Sequence, residues 1–166
     1  MVTLKNVLVA TDFGEASETA LAYGRALARS FGARLHVVHI VGNAQMWVGI
    51  DGYAFDVTEL QREMEQGARK QLGQLVTEED RRELRAEAIV RTAASPAMEI
   101  VSYAKDANVD LIVMGTHGRG AMAHLMMGSV AERVVRTAPC PVLTVRNPEH
   151  EFILPDALQT VAQKRM

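Results

Sequence analysis

The sequence predicts an α/β fold in which helices cover a mainly parallel sheet. Three observations carry that expectation. Short strand-like runs alternate with helix-length segments, those segments are long enough to cross over between parallel strands, and the run RLHVVHIV is nearly continuous in apolar character, as a buried parallel strand is.

The first strand is NVLVA, Asn6 to Ala10, and Thr11 to Gly14 read as the turn after it. Ala20, Leu21, Gly24, Leu27, Ala28 and Phe31 then recur on one helical face, and Gly32 supplies the stop. Arg34 to Val41 is the second strand. Residues 42–57 form a long irregular stretch holding Met46, Trp47, Tyr53 and Phe55, either a lid or a loop anchored by its aromatic residues. Thr58 and Gln61 have capping-box spacing, so a polar surface helix is expected from there to about Leu84, with a break near Thr77.

RAEAIVR, residues 85–91, is the third strand. Ser95 followed by Pro96 opens the next helix, with Met98, Ile100, Val101 and Ala104 as its buried stripe. Asp110 to Met114 is the fourth strand and runs directly into GTHGRG. A last helix starts at Ser129 with Val130, Ala131, Val134, Val135 and Ala138 on one face. Pro139-Cys140-Pro141 ends it, and Val142 to Val145 is the final strand. The expected domain is 1–146; residues 147–166 form a tail in which Pro155-Asp156 could start one short helix.

The chain has 166 residues and a formal net charge of −2, so no general attraction for nucleic acid or anionic lipid is expected and any anion site must be local. Its longest uninterrupted apolar run is four residues, far short of the roughly 20 that span a membrane. The N-terminus lacks a long apolar segment with a cleavage site, and the single cysteine, Cys140, suits a reducing compartment, so a cytoplasmic location is expected.

The chemistry concentrates in the glycines after the fourth strand. Gly115, Gly118 and Gly128 are separated by two and nine residues, and Gly128-Ser129 opens a helix. Glycine lets amide groups approach a ligand closely, and a helix start favours an anion. In an open α/β sheet this loop and Thr11-Asp12 emerge at the same edge, where ligands settle. One pocket there could take a nucleotide. Asp12 either caps the first helix or faces that ligand, and Arg119 either meets phosphate or is solvated.

The tract LIVMGTHGRGAMAHLMMGSVAERVVRTAPCPVLTV, residues 111–145, resembles the C-terminal signature of the universal stress proteins, including the G-x2-G-x9-G-S/T pattern of their ATP-binding branch. NVLVATDFGEASETALAYGRALA and LHVVHIV are similar to that family as well. The resemblance implies a Rossmann-like, adenine nucleotide alpha hydrolase-like fold: five parallel strands in the order 3-2-1-4-5, helices on both faces, ATP between the first and fourth strands. It implies Ala10, Thr11 and Asp12 by the ribose and phosphates, Asp12 within reach of Mg²⁺, Val41 at the adenine, and Met114, Gly115, Gly118, Gly128, Ser129 and Val130 around ribose and phosphate. It also implies a homodimer through Val142 to Val145.

Other patterns lead elsewhere or nowhere. Gly118-x-Gly120-x-x-Ala123 fits a relaxed dinucleotide fingerprint, but that motif belongs in the first strand-helix turn. A P-loop lysine is missing. His36 and His39, an odd number apart on a strand, point to opposite faces and are expected to pack rather than bind metal. His117 and His124 flank the glycine loop in structural or surface roles. No nucleophile with a general base can be assembled from neighbouring residues. The expected function is therefore an ATP-binding regulatory module. The alternatives are a slow ATPase or phosphoryl-transfer enzyme and a nucleotide-free dimeric interaction protein.

Overall fold

A computed structural model describes residues 1–44, 57–116 and 127–146. In chain order its elements are β1 (Asn6–Ala10), α1 (Glu15–Phe31), β2 (Arg34–Val41), α2 (Val57–Leu75), α3 (Glu78–Leu84), β3 (Glu87–Thr92), α4 (Pro96–Asp106), β4 (Leu111–Gly115), α5 (Ser129–Thr137) and β5 (Val142–Val145). All strand pairs are parallel and the order is β3-β2-β1-β4-β5, as the sequence resemblance implied.

Side-chain alternation along each strand divides the core into two layers. Val7, Val9, Leu35, Val37 and Val113 face α1, α2 and α3, meeting Ala20, Leu21, Leu72 and Leu84. Leu8, Val38, Ile112 and Met114 face the other way, onto Ala97, Ile100 and Ala104 of α4 and Ala131 and Val134 of α5. Val7, Leu8 and Val9 are all fully buried because β1 is central and covered on both sides. His36 and His39 point to opposite faces, as their spacing predicts: His36 meets Tyr103 of α4, whereas His39 packs against Phe13.

α1 lies unusually close to the sheet. A Cβ on Gly24 would run into the Val9 side chain, and one on Gly115 would sit 2.8 Å from Ala16 Cβ and 3.0 Å from Ala16 backbone carbon. Gly115 is thus required where β4 passes under the first turn of α1, a packing role that the glycine spacing did not disclose.

The expected break at Thr77 is present, and the capping box is there rather than at Thr58. Asp80 N–H donates to Thr77 Oγ1 at 3.1 Å and Thr77 N–H donates to Asp80 Oδ2 at 2.9 Å. Thr58 already lies inside α2, and Gln61 Oε1 instead accepts from Ala44 N–H at 2.8 Å, holding the chain as it leaves β2. β3 begins two residues later than predicted because Arg85, at φ 50°, ends α3 in the left-handed region. Phe31, Met98 and Val135, assigned to buried faces, are exposed. On α4 the buried arc runs instead through Ala97, Ile100, Tyr103 and Ala104, and Met98 stands about 200° around the helix from Ile100. The segment with Trp47, Tyr53 and Phe55 and the tail from Asn147 lie outside the described residues.

Candidate functional site

The connections from β1 and β4 leave toward opposite edges of the sheet, so a crevice opens where these strands end. A cavity of about 380 Å³ occupies it, within the range of small-molecule sites. Its apolar part is formed by Ala10, Val38, Ile40 and Met114 of the sheet with Pro96 and Ile100 of α4. Its polar part is formed by Thr11, Asp12 and Ser17 on one side and Thr116, Gly128 and Ser129 on the other. Among the described residues no Lys or Arg lines it.

The polar part is built by two short devices. After β1 the chain turns through Thr11 to Gly14, where Asp12 Oδ1 accepts from Gly14 N–H at 3.0 Å and Phe13 adopts φ 63°. The Phe13 ring lies 4.3 Å from the His39 ring, and His39 Nδ1–H donates to the Thr11 carbonyl at 2.8 Å. On the far side Gly128 N–H donates to the Thr116 carbonyl at 2.7 Å, and Thr116 N–H donates to Val145 O at 2.8 Å. These bonds fix the start of α5 against the end of β4. Gly128 makes no side-chain cap, so the amide dipoles of the first turn of α5 favour an anion at the cavity wall.

Of the residues singled out in the sequence, Ala10, Thr11, Asp12, Met114, Gly115, Gly128, Ser129 and Val130 all line this cavity. Val41 does not: it is buried at the end of β2, where its carbonyl accepts from Ala93 N–H at 3.0 Å. Val38 and Ile40 share the strand face of Ala10 and Met114, and parity along β2 was the signal that could have found them. Ser17, His39, Pro96, Ile100 and Thr116 were also missed. Gly118 and Arg119 lie outside the described residues, as do His117 and His124. Among the described residues no three of His, Cys, Asp and Glu gather to hold a metal.

Neither Cys140 nor His36, both away from the cavity, carries a sign of activation. Burial, then the Asp110 carboxylate, pushes the Cys140 thiol up, which disfavours the nucleophilic thiolate. Burial holds the His36 imidazole below its usual range, with Glu87 opposing and Arg34 assisting. Asn6 Nδ2 donates to Asn108 O, leaving its Oδ1 toward His36 Nε2 at 3.4 Å. His36 therefore donates from Nε2 and accepts the Tyr103 hydroxyl at Nδ1, 2.8 Å away. No helix among the described residues is long and apolar enough to cross a membrane.

A model of the universal stress protein family matches residues 3–146. Universal stress protein MJ0531 of Methanocaldococcus jannaschii is 34% identical over 149 residues, covering 89% of this chain and 85% of that protein. The solved structure of MJ0577, from the same organism, superposes with a TM-score of 0.76 at 27% identity, covering 88% of this chain and 98% of that one. The universal stress protein from Archaeoglobus fulgidus in complex with dAMP shares the fold, with a TM-score of 0.56 at 23% identity over 87% of this chain and 98% of that one.

Proposed function

The chain belongs to the universal stress protein family, and from that premise we propose that it is an ATP-binding regulatory module whose nucleotide occupies the cavity between β1 and β4. One observation carries the reading: a single cavity joins an apolar slot to the uncapped start of α5 at the switch point of the sheet. A purine needs apolar walls, and a phosphate chain needs backbone amides and a helix start.

In this reading adenine lies against Val38, Ile40 and Ile100, displaced from Val41 to the strand face that lines the slot. Ribose lies near Ala10, Asp12 and Met114, and the phosphates meet the backbone of Gly128, Ser129 and Val130, with Gly118 and Arg119 of the glycine loop completing the set. Asp12 shares Mg²⁺ with the phosphates. The protein acts in the cytoplasm as a homodimer, and nucleotide shifts its equilibrium only through different affinities for two states. Phosphoryl transfer would need a placed nucleophile and charge clamp. Of the lining hydroxyls, those of Thr11 and Ser17 are engaged with one another, and among the described residues no Lys or Arg lines the cavity, so hydrolysis is slow at most.

The test is mass spectrometry of small molecules released from freshly purified protein, followed by titration with Mg²⁺-ATP. Adenine nucleotide is expected with the wild type and not with Gly118→Asp or Gly128→Val. Absence of co-purified nucleotide together with no binding on titration overturns the proposal.

A further inference from the structure

We infer that Ser17 is a positioning residue for this site: its hydroxyl, acting through Thr11, fixes the conformation in which Asp12 is presented to the cavity. The inference rests on the nucleotide reading above, and its evidence is a directed chain of hydrogen bonds. Phe13 N–H donates to Thr11 Oγ1 at 3.0 Å, Thr11 Oγ1 and Ser17 Oγ lie 3.0 Å apart, and Ser17 Oγ–H donates to the Gly14 carbonyl at 2.8 Å. Each hydroxyl has one proton. Ser17 gives its own to Gly14, so Thr11 must donate to Ser17, and the direction of the whole chain is set.

Thr11 and Ser17 are 6% and 3% exposed, so this pair is shielded from competing water. The remaining polar atoms of Thr11 are engaged too, its N–H with Val38 O at 2.9 Å and its carbonyl with His39. Thr11 is thereby an anchor of the turn. The turn needs one, because Phe13 holds a positive φ that a bulky residue keeps only when its surroundings enforce it. Asp12 stands between the two anchored residues. Without the Ser17 hydroxyl, the Thr11 proton loses its acceptor, Phe13 can relax, and the carboxylate loses a fixed direction. Preorganisation of this kind shows in affinity.

The experiment is calorimetric titration of the full chain with Mg²⁺-ATP, with thermal melts as a control. Ser17→Ala is expected to weaken binding roughly 3- to 10-fold, the effect of one lost hydrogen bond. Thr11→Val should match that loss, whereas Thr11→Ser, which keeps the hydroxyl, should bind as the wild type. Ser17→Ala added to Asp12→Asn should weaken binding no further than Asp12→Asn alone, because both act on one carboxylate. Unchanged affinity in Ser17→Ala, or losses that multiply in the double variant, overturns the inference. Should Ser17→Ala fail to fold, the two Thr11 variants decide by the same criterion. A folded wild type that binds no nucleotide overturns the nucleotide reading itself and this inference with it.

Discussion

Arg25 on α1 grips both carboxylate oxygens of Asp80 on α3, Nε to Oδ1 at 2.9 Å and Nη2 to Oδ2 at 2.7 Å. The same Asp80 caps Thr77, and the same guanidinium reaches Leu75 O at 2.8 Å, so one ion pair fixes the end of α2, the start of α3 and their seat on α1. Asp80 is 2% exposed. Asp80→Ala removes the carboxylate that accepts from Thr77 N–H and leaves Arg25 without its ion-pair partner, and a loss of about 3 kcal/mol is expected. Urea unfolding would measure it; a loss within 0.5 kcal/mol, the scatter of ordinary surface changes at about that size, would show that the pair does not hold the helices.

Acid should destabilise this protein through His36. Its folded pKa is depressed, so between that value and the usual 6.5 of a free imidazole the unfolded chain binds a proton that the folded chain does not. Stability contributed by neutral His36 is therefore complete above the unfolded pKa and declines as pH falls toward the folded one. Asp80 adds to the fall at lower pH. Burial raises its pKa, but the Arg25 and Thr77 hydrogen bonds outweigh burial and hold it low. Unfolding free energies measured at pH 7.5, 6.5 and 5.5 should fall less steeply in His36→Gln than in the wild type. Parallel slopes would exclude His36 as the sensitive group.

What the sequence made legible follows from what each pattern encodes. A central strand buried on both faces leaves a run such as NVLVA, and a helix start leaves Ser95-Pro96; both were readable without coordinates. Thr58/Gln61 and Thr77/Asp80 both present a capping pattern, and only the turn of the backbone and the distant Arg25 select the second. The cavity showed itself in Thr11, Asp12 and Gly115, which stand at or just after strand ends, whereas Ala10 and Met114 were reached only through the family resemblance. Its opposite wall, Pro96 and Ile100, comes from a helix distant in sequence. Ser17 looked like an ordinary helix residue because its role depends on Thr11 folding back over it.

The glycines that read alike in the sequence should separate in experiment. Gly115→Ala places a Cβ 2.8 Å from Ala16 Cβ and 3.0 Å from backbone that cannot swing away. A stability loss of about 1–3 kcal/mol is expected from overpacking. Gly128 holds φ −60° and ψ 148°, a backbone conformation that valine adopts readily, so Gly128→Val should lose nucleotide while melting near the wild-type temperature. Thermal melts with and without Mg²⁺-ATP distinguish the two, and a wild-type melt for Gly115→Ala would refute the close approach of α1.

The proposed homodimer through β5 can be tested at one backbone nitrogen. Pro141 O accepts from Ile112 N–H and Val145 O from Thr116 N–H, so residues 141, 143 and 145 turn their peptide groups toward β4. In a parallel ladder the alternate residues, Val142 and Thr144, then present theirs to the open edge. Proline at position 144 removes a donor from that edge and leaves the bonds to β4 intact, and an edge strand tolerates proline for this reason. A symmetric strand pair would lose that bond twice, once for each copy, while each protomer keeps its fold. Sedimentation of Thr144→Pro should give a monomer with wild-type nucleotide binding. A dimer that survives the substitution would place the contact between copies on another surface.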